Sequence, residues 1–185
     1  MAIGEVTTTI EVGPTHGKKL GNLTLLGAQF FGRPNFAGEM DRFKDDRRKF
    51  TVLIPNEVAD QLRQAGWNVK TMTPTPEELA EFPDRQPLSH LKVMIDTPVF
   101  EQDHAGQDVQ VRGSEVFLLQ GDDVERLSAA TLAVVDRSRF ENIDMEIRAW
   151  EYDPEEQPGQ FSARLVKFVG VMPVNLLDQK YGRLR

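Results

Sequence analysis

The sequence predicts a mainly β domain: a small antiparallel barrel with one or two short helices and long loops. Three observations lead there. Alternating apolar segments cluster toward both ends of the chain, a short helical pattern lies inside, and no βαβ alternation, heptad or internal repeat accompanies them. The chain has 185 residues, which suits one domain, and 39% of them are apolar. A chain of this size buries roughly 70% of its unfolded surface, enough for a core without cross-links. There is no cysteine, which excludes a disulfide framework, a thiolate metal site and a cysteine nucleophile.

Taken in order, residues 1–19 are polar and Thr/Gly-rich and are expected to form a loose arm. Residues 22–31 read as the first strand, with Gly27 inside it as a candidate bulge. A glycine-punctuated loop runs from 32 to 46, and residues 48–54 make a strand stopped by Pro55. Residues 55–66 form a short helix with Asn56 at the N-cap, Val58, Leu62 and Ala65 on one face, and Gly66 closing it. Residues 67–72 alternate as a strand. The stretch 73–87 holds four prolines and four acids and reads as a surface loop. Residues 91–96 form a strand, 98–101 and 108–112 a hairpin, and 114–120 an extended segment. A helix is expected within 123–137, with Leu127, Leu132 and Val135 buried. Two long strands, 143–152 and 161–171, finish the domain as a hairpin.

Charge is uneven along the chain. The total is 22 basic against 29 acidic residues, or −7, so a uniformly basic nucleic-acid surface is excluded. Residues 1–70 carry 10 basic and 8 acidic side chains, 71–160 carry 7 and 20, and 161–185 carry 5 and 1. If the two basic ends meet in one sheet, they make a positive strip on an acidic body. No apolar run reaches the ~18 residues of a membrane span, and the N-terminus lacks a basic-then-apolar leader. The expectation is a soluble, cytoplasmic protein with no membrane contact.

Enzymatic motifs are missing. There is no Gly-x-Ser-x-Gly, P-loop or His-Glu-x-x-His, and His16, His90 and His104 are widely spaced. Asp144-x-Glu146-x-Arg148 has the outline of a nuclease carboxylate row, but alternation places all three on one strand face, as in any half-exposed strand. The window 30–50 is more telling, because it interleaves five Phe with six Lys/Arg. Cations that track phosphates and rings that stack on bases hold unpaired strands in this way. In the strand 143–152, Trp150 and Tyr152 project with the polar row beside Arg148. In its partner, Lys167 interrupts one apolar row and Phe168 joins the other, so neither face is cleanly polar.

The residues also carry a resemblance. Phe43 through Phe50-Thr51-Val52-Leu53-Ile54, the short helix closing on Gly66-Trp67-Asn68-Val69-Lys70, Leu91-Lys92-Val93, the segment 142–152, Ala163-Arg164-Leu165 and the segment 176–181 together resemble single-stranded-DNA-binding proteins of tailed bacteriophages. The similarity covers roughly residues 22–181. It implies an OB-fold-like antiparallel Greek-key barrel over residues 20–175, followed by a tail at 176–185. It further implies a non-enzymatic protein without catalytic residues, cofactor or metal. Such a protein binds single-stranded DNA with little sequence preference during phage replication or recombination, with other phage proteins as partners and self-association left open. Such proteins often end in an acidic tail, whereas this sequence ends Lys180-Tyr181-Gly182-Arg183-Leu184-Arg185, which shifts any partner recruitment to the acidic middle. The expected phosphate contacts are Arg33, Arg42, Lys44, Arg47, Arg48, Lys49, Lys70, Arg148 and Lys167. The expected stacking rings are Phe36, Phe43, Trp67, Trp150 and Tyr152. The rival reading is a β-rich tail or head subunit of a phage particle, whose exposed rings bury against neighbouring copies.

Overall fold

The structure, a computed structural model, describes residues 8–13, 21–151 and 161–181, less the side chains of 178 and 179. In chain order its elements are β1 (Thr9–Val12), β2 (Asn22–Leu26), β3 (Lys49–Ile54), α1 (Asn56–Gln64), β4 (Val69–Met72), α2 (Pro76–Glu81) and β5 (Leu88–Met94). They continue with β6 (Val99–Gln102), β7 (Asp108–Arg112), β8 (Glu115–Gln120), β9 (Asp123–Arg126), a 3₁₀ helix (Leu132–Arg137), β10 (Asn142–Glu151), β11 (Phe161–Val171) and α3 (Leu176–Tyr181).

Five segments close into a barrel. β2 pairs with β10, β10 with β11, β11 with β5 and β5 with β3. Gly27, with a positive φ of 69°, then turns the chain at the end of β2; the Ala28 N–H still donates to the Ile143 carbonyl of β10, and residues 29–31 run against β3 to close the ring. There the Phe31 N–H donates to the Thr51 carbonyl at 2.7 Å and the Leu53 N–H to the Gln29 carbonyl at 2.9 Å. The order around the barrel is therefore 22–31, β3, β5, β11, β10, a Greek-key arrangement of the OB type. All contacts are antiparallel except β5 against β11. β1 extends β2 outward, so part of the expected arm is a strand. β8 lies parallel along the second half of β11 and carries β9, while β6 and β7 form a separate hairpin.

The core follows from alternation. Leu23 and Leu25, Phe50, Val52 and Ile54, Leu91 and Val93, Met145 and Ile147, and Leu165 and Phe168 all point inward and are buried. The register of β11 slips by one residue between Glu146 and Ile147 of its partner, leaving Val166 as a bulge. That extra residue explains the mixed faces read from the sequence: Leu165 and Phe168 both reach the core, and Lys167 faces out. The 3₁₀ helix covers one end of the barrel with Leu132 and Val135.

Several local expectations change. Pro55 occupies the cap position of α1; Asn56 is its first helical residue, and its side chain instead donates to the Pro87 carbonyl and accepts from the Ser89 hydroxyl. Gly66 follows α1 with φ 98°, as its role at the helix end requires. The loop 73–87 contains α2, started by a capping box between Thr75 and Glu78 with Pro76 in the first turn. The helix expected over 123–137 is reduced to the 3₁₀ turn, because Gly121 at φ 60° folds the chain back as the β8–β9 hairpin. Gly113, between β7 and β8, has φ 90°, and a Cβ there would stand 2.3 Å from the Thr97 carbonyl oxygen. Gly113→Ala is accordingly expected to cost at least about 2 kcal/mol in urea unfolding, since positive φ and a backbone clash combine.

Candidate nucleic-acid interface

The alternation that fills the core also fixes what faces outward. Across the sheet Lys49 pairs with Met94, Met94 with Arg164, and Arg164 with Arg148. One step along, Thr51 pairs with Lys92; a further step brings Leu53, His90 and Lys70 side by side. The basic segments 1–70 and 161–185 thus do not pair directly among the described residues. They flank β5, with Lys49 on one side of Met94 and Arg164 on the other. A cleft of about 800 Å³ opens on this face, with Arg47, Arg63, Lys70, His90, Lys92 and Met94 among its walls. A separate, smaller hollow of about 160 Å³ lies between Arg148, Trp150 and Arg164.

The cations differ in how far they are neutralised. Lys49 donates to Asp41 at 2.8 Å and to Asp45 at 2.6 Å, and Arg47 meets Asp45 at 2.8 Å. Arg164 pairs with Asp96, and Lys167 lies 3.3 Å from Glu115 on the far half of β11. Hydrogen bonds from Arg47 and Lys49 hold the Asp45 carboxyl far below its ordinary range, and the bond from Lys49 lowers Asp41 as well. Burial opposes the charge on Lys49, yet its bonds to the two carboxylates prevail and raise its pKa. Lys92 behaves oppositely. Burial, then the neighbouring Lys49 and Arg47, lower its pKa, and Lys70 adds to the effect. Among the described residues neither Lys70 nor Lys92 has an ion-pair partner within 4.0 Å. Positive charge is therefore concentrated over β4 and β5, with Asp45 offsetting only part of the repulsion at Lys92.

The loop between 31 and 49 is built by its own polar groups. Asp41 accepts the N–H groups of Phe43 and Asp45, at 2.8 and 3.0 Å, and Lys44 takes φ 59°. This tight turn, clamped by Lys49, holds Phe43 out with 73% of its surface exposed and the Arg42 guanidinium 4.7 Å from its ring. Arg33, Arg42 and Lys44 are exposed on the same loop. Trp150 is 58% exposed, with Arg164 5.9 Å from its ring.

Other expected contacts lie elsewhere. Phe36 is fully buried: its ring stacks on Phe50 at 5.6 Å and meets Phe168 edge-on at 5.3 Å. The Asp136 carboxylate accepts the N–H groups of Phe36 and Ala37, and Arg48 donates to the Phe36 carbonyl, so the loop seals the barrel with this ring. Trp67 is 4% exposed and packs in the core. Phe36 is not free to meet a base, which corrects the stacking expected of it, while Trp67 borders the cleft with almost no exposed surface. Arg48 turns inward with Phe36 and Lys167 joins Glu115, so neither belongs to the cleft. Tyr152 lies outside the described residues.

The sequence reading missed Lys92, Arg63, Arg164 and the His90–Phe31 pair, whose rings stack at 4.9 Å. A signal for two of these was present: with Leu91 and Val93 inward, His90 and Lys92 must share the outer face. The carboxylate row of β10 has structural partners, since Asp144 accepts the Gly27 N–H and Glu146 the Asn22 amide. Among the described residues no group of three His, Asp or Glu side chains is placed to hold a metal, and no helix is long and apolar enough to cross a membrane.

Residues 14–182 match the family described as "Putative phage ssDNA-binding domain". The chain belongs to this phage single-stranded-DNA-binding family. Two solved structures are similar to it. One is the single-stranded DNA-binding protein from bacteriophage Enc34 with a C-terminal truncation, at 10% identity and TM-score 0.44, covering 89% of this chain and 95% of that one. The other is the Enc34 protein without that truncation, at 10% identity and TM-score 0.43, covering 88% and 89%. No curated protein sequence matches the chain. The family match takes in all five barrel strands and the basic loop before β3, and it makes the domain a DNA-binding module of phage origin.

Proposed function

We propose that this family member coats single-stranded DNA with little sequence preference by laying it across the outer face of β3, β5, β11 and β10, protecting it during phage replication or recombination. The observation that carries this reading is the pair Lys70 and Lys92, without ion-pair partners among the described residues, in a cleft on the same sheet as the exposed Trp150 and Arg148. β3 and β5 are the second and third strands of the barrel, and the loop before β3 joins its first two strands. Barrels of this type hold oligonucleotides on that face and with that loop.

Phosphates would meet Arg47, Lys70, Lys92 and Arg148, with Arg33, Arg42 and Lys44 reaching in from the loop. Bases would stack on Trp150 and Phe43, each ring contributing about 1–3 kcal/mol. No step of bond making is involved; the energy comes from released counterions and stacked rings.

Titration with poly-dT tests the reading. Trp150 fluorescence is expected to be quenched, and log affinity is expected to fall linearly with log salt. Absence of quenching at low salt, or affinity indifferent to salt, would overturn it.

A further inference from the structure

We infer that the cleft holds a subsite for the polar edge of one nucleobase, formed by His90 and Ser162. The inference rests on the single-strand reading and adds a site where the base, rather than the phosphate, is recognised. Four buried side-chain polar atoms lack a hydrogen-bond partner among the described residues: His90 Nδ1, Ser162 Oγ, Arg164 Nε and Gln110 Oε1. Such atoms are uncommon in native proteins and call for a physical reason. The first two belong to side chains that line the cleft, and the third to one that lines the smaller hollow.

The contrast with the other buried serines is informative. Ser89 Oγ donates to the Asn56 carbonyl at 2.8 Å, and Ser114 Oγ to the Leu165 carbonyl at 2.7 Å. Ser162, only 7% exposed, has no equivalent. Ser162 immediately precedes the Ala163–Val93 pair that joins β11 to β5, and it lines the same cleft as His90 and Lys92. The His90 ring is held flat against Phe31, with planes 17° apart.

Chemistry separates the ligand's two ends. Phosphate oxygens suit the charged Lys70 and Lys92 that flank the pair. An imidazole ring nitrogen and a hydroxyl, the latter able both to donate and to accept, suit the mixed donor–acceptor edge of a base. A serine hydroxyl needs only one torsion to turn toward it.

The test compares oligo-dT with an abasic strand of equal length and equal phosphate number, by fluorescence anisotropy of end-labelled strands. The wild-type protein is expected to prefer oligo-dT. Ser162→Ala and His90→Phe, the latter keeping a ring over Phe31, are each expected to reduce that preference by about 5- to 20-fold, the worth of one or two neutral hydrogen bonds. Ser162→Ala is also expected to leave the unfolding midpoint unchanged or raised, because the hydroxyl has no partner to lose. An unchanged preference in both variants, or a lowered midpoint in Ser162→Ala, would overturn the subsite while leaving the single-strand reading intact. If the wild-type protein binds neither strand, the single-strand reading falls and takes the subsite with it.

Discussion

Replacing Lys70 and Lys92 together by glutamate is expected to weaken binding to poly-dT on the order of 100-fold at low salt, since each lost charge-assisted contact is worth about 1.5–3 kcal/mol. The plot of log affinity against log salt should become shallower by about 1.4, because each phosphate neutralised on a single strand contributes about 0.7 through its released counterions. Stability should hold. Both side chains are exposed and without ion-pair partners among the described residues, and Lys92 is repelled by Lys49 and Arg47 in the native state. The Glu at position 92 would relieve that repulsion. Affinity within threefold of wild type, with an unchanged salt slope, would place the DNA on another face of the barrel.

The second large effect concerns stability. Phe36→Ala is expected to cost about 3–5 kcal/mol in urea or thermal unfolding, the usual penalty for emptying a buried phenyl site. The ring is fully buried and touches Phe30, Phe50 and Phe168 within 6.3 Å, so three partners lose contact at once. Against a total of about 5–15 kcal/mol for an ordinary domain, such a variant stands near the edge of folding. A Phe36→Leu variant, keeping most of the volume, should recover much of the loss. If Phe36→Ala instead left stability unchanged and abolished DNA binding, the ring would return to the role of a stacking platform.

The contrast between Phe36 and Phe43 shows where sequence reading stops. Both lie in one loop among charges and glycines, with no periodicity to sort inside from outside. One is drawn in by Asp136, a hundred residues away, and the other is pushed out by a turn folded around Asp41. Only the second determinant is local. The barrel strands were legible because alternation is itself the signal for a sheet with one buried face. Lys92 was half legible: parity gives its face, but the repulsion around it depends on strands 22 and 43 residues away that supply Lys70 and Lys49. Thr75, Pro76 and Glu78 announced α2 in the sequence, and the density of prolines hid it. Trp150 was read as exposed from parity alone, and the structure leaves it so.

Val166 has a consequence of a different kind. A single surplus residue sets the phase of β11, so that Arg164 and Lys167 share one side although three positions apart. Losing Val166 would restore one-to-one pairing, with Leu165 still opposite Ile147 and Lys167 still opposite Glu146, so both halves of the strand would keep their faces and only the local kink would relax. The bulge is thus a point at which β11 can lose a single residue without turning over, whereas a one-residue loss within its paired stretches would shift the register.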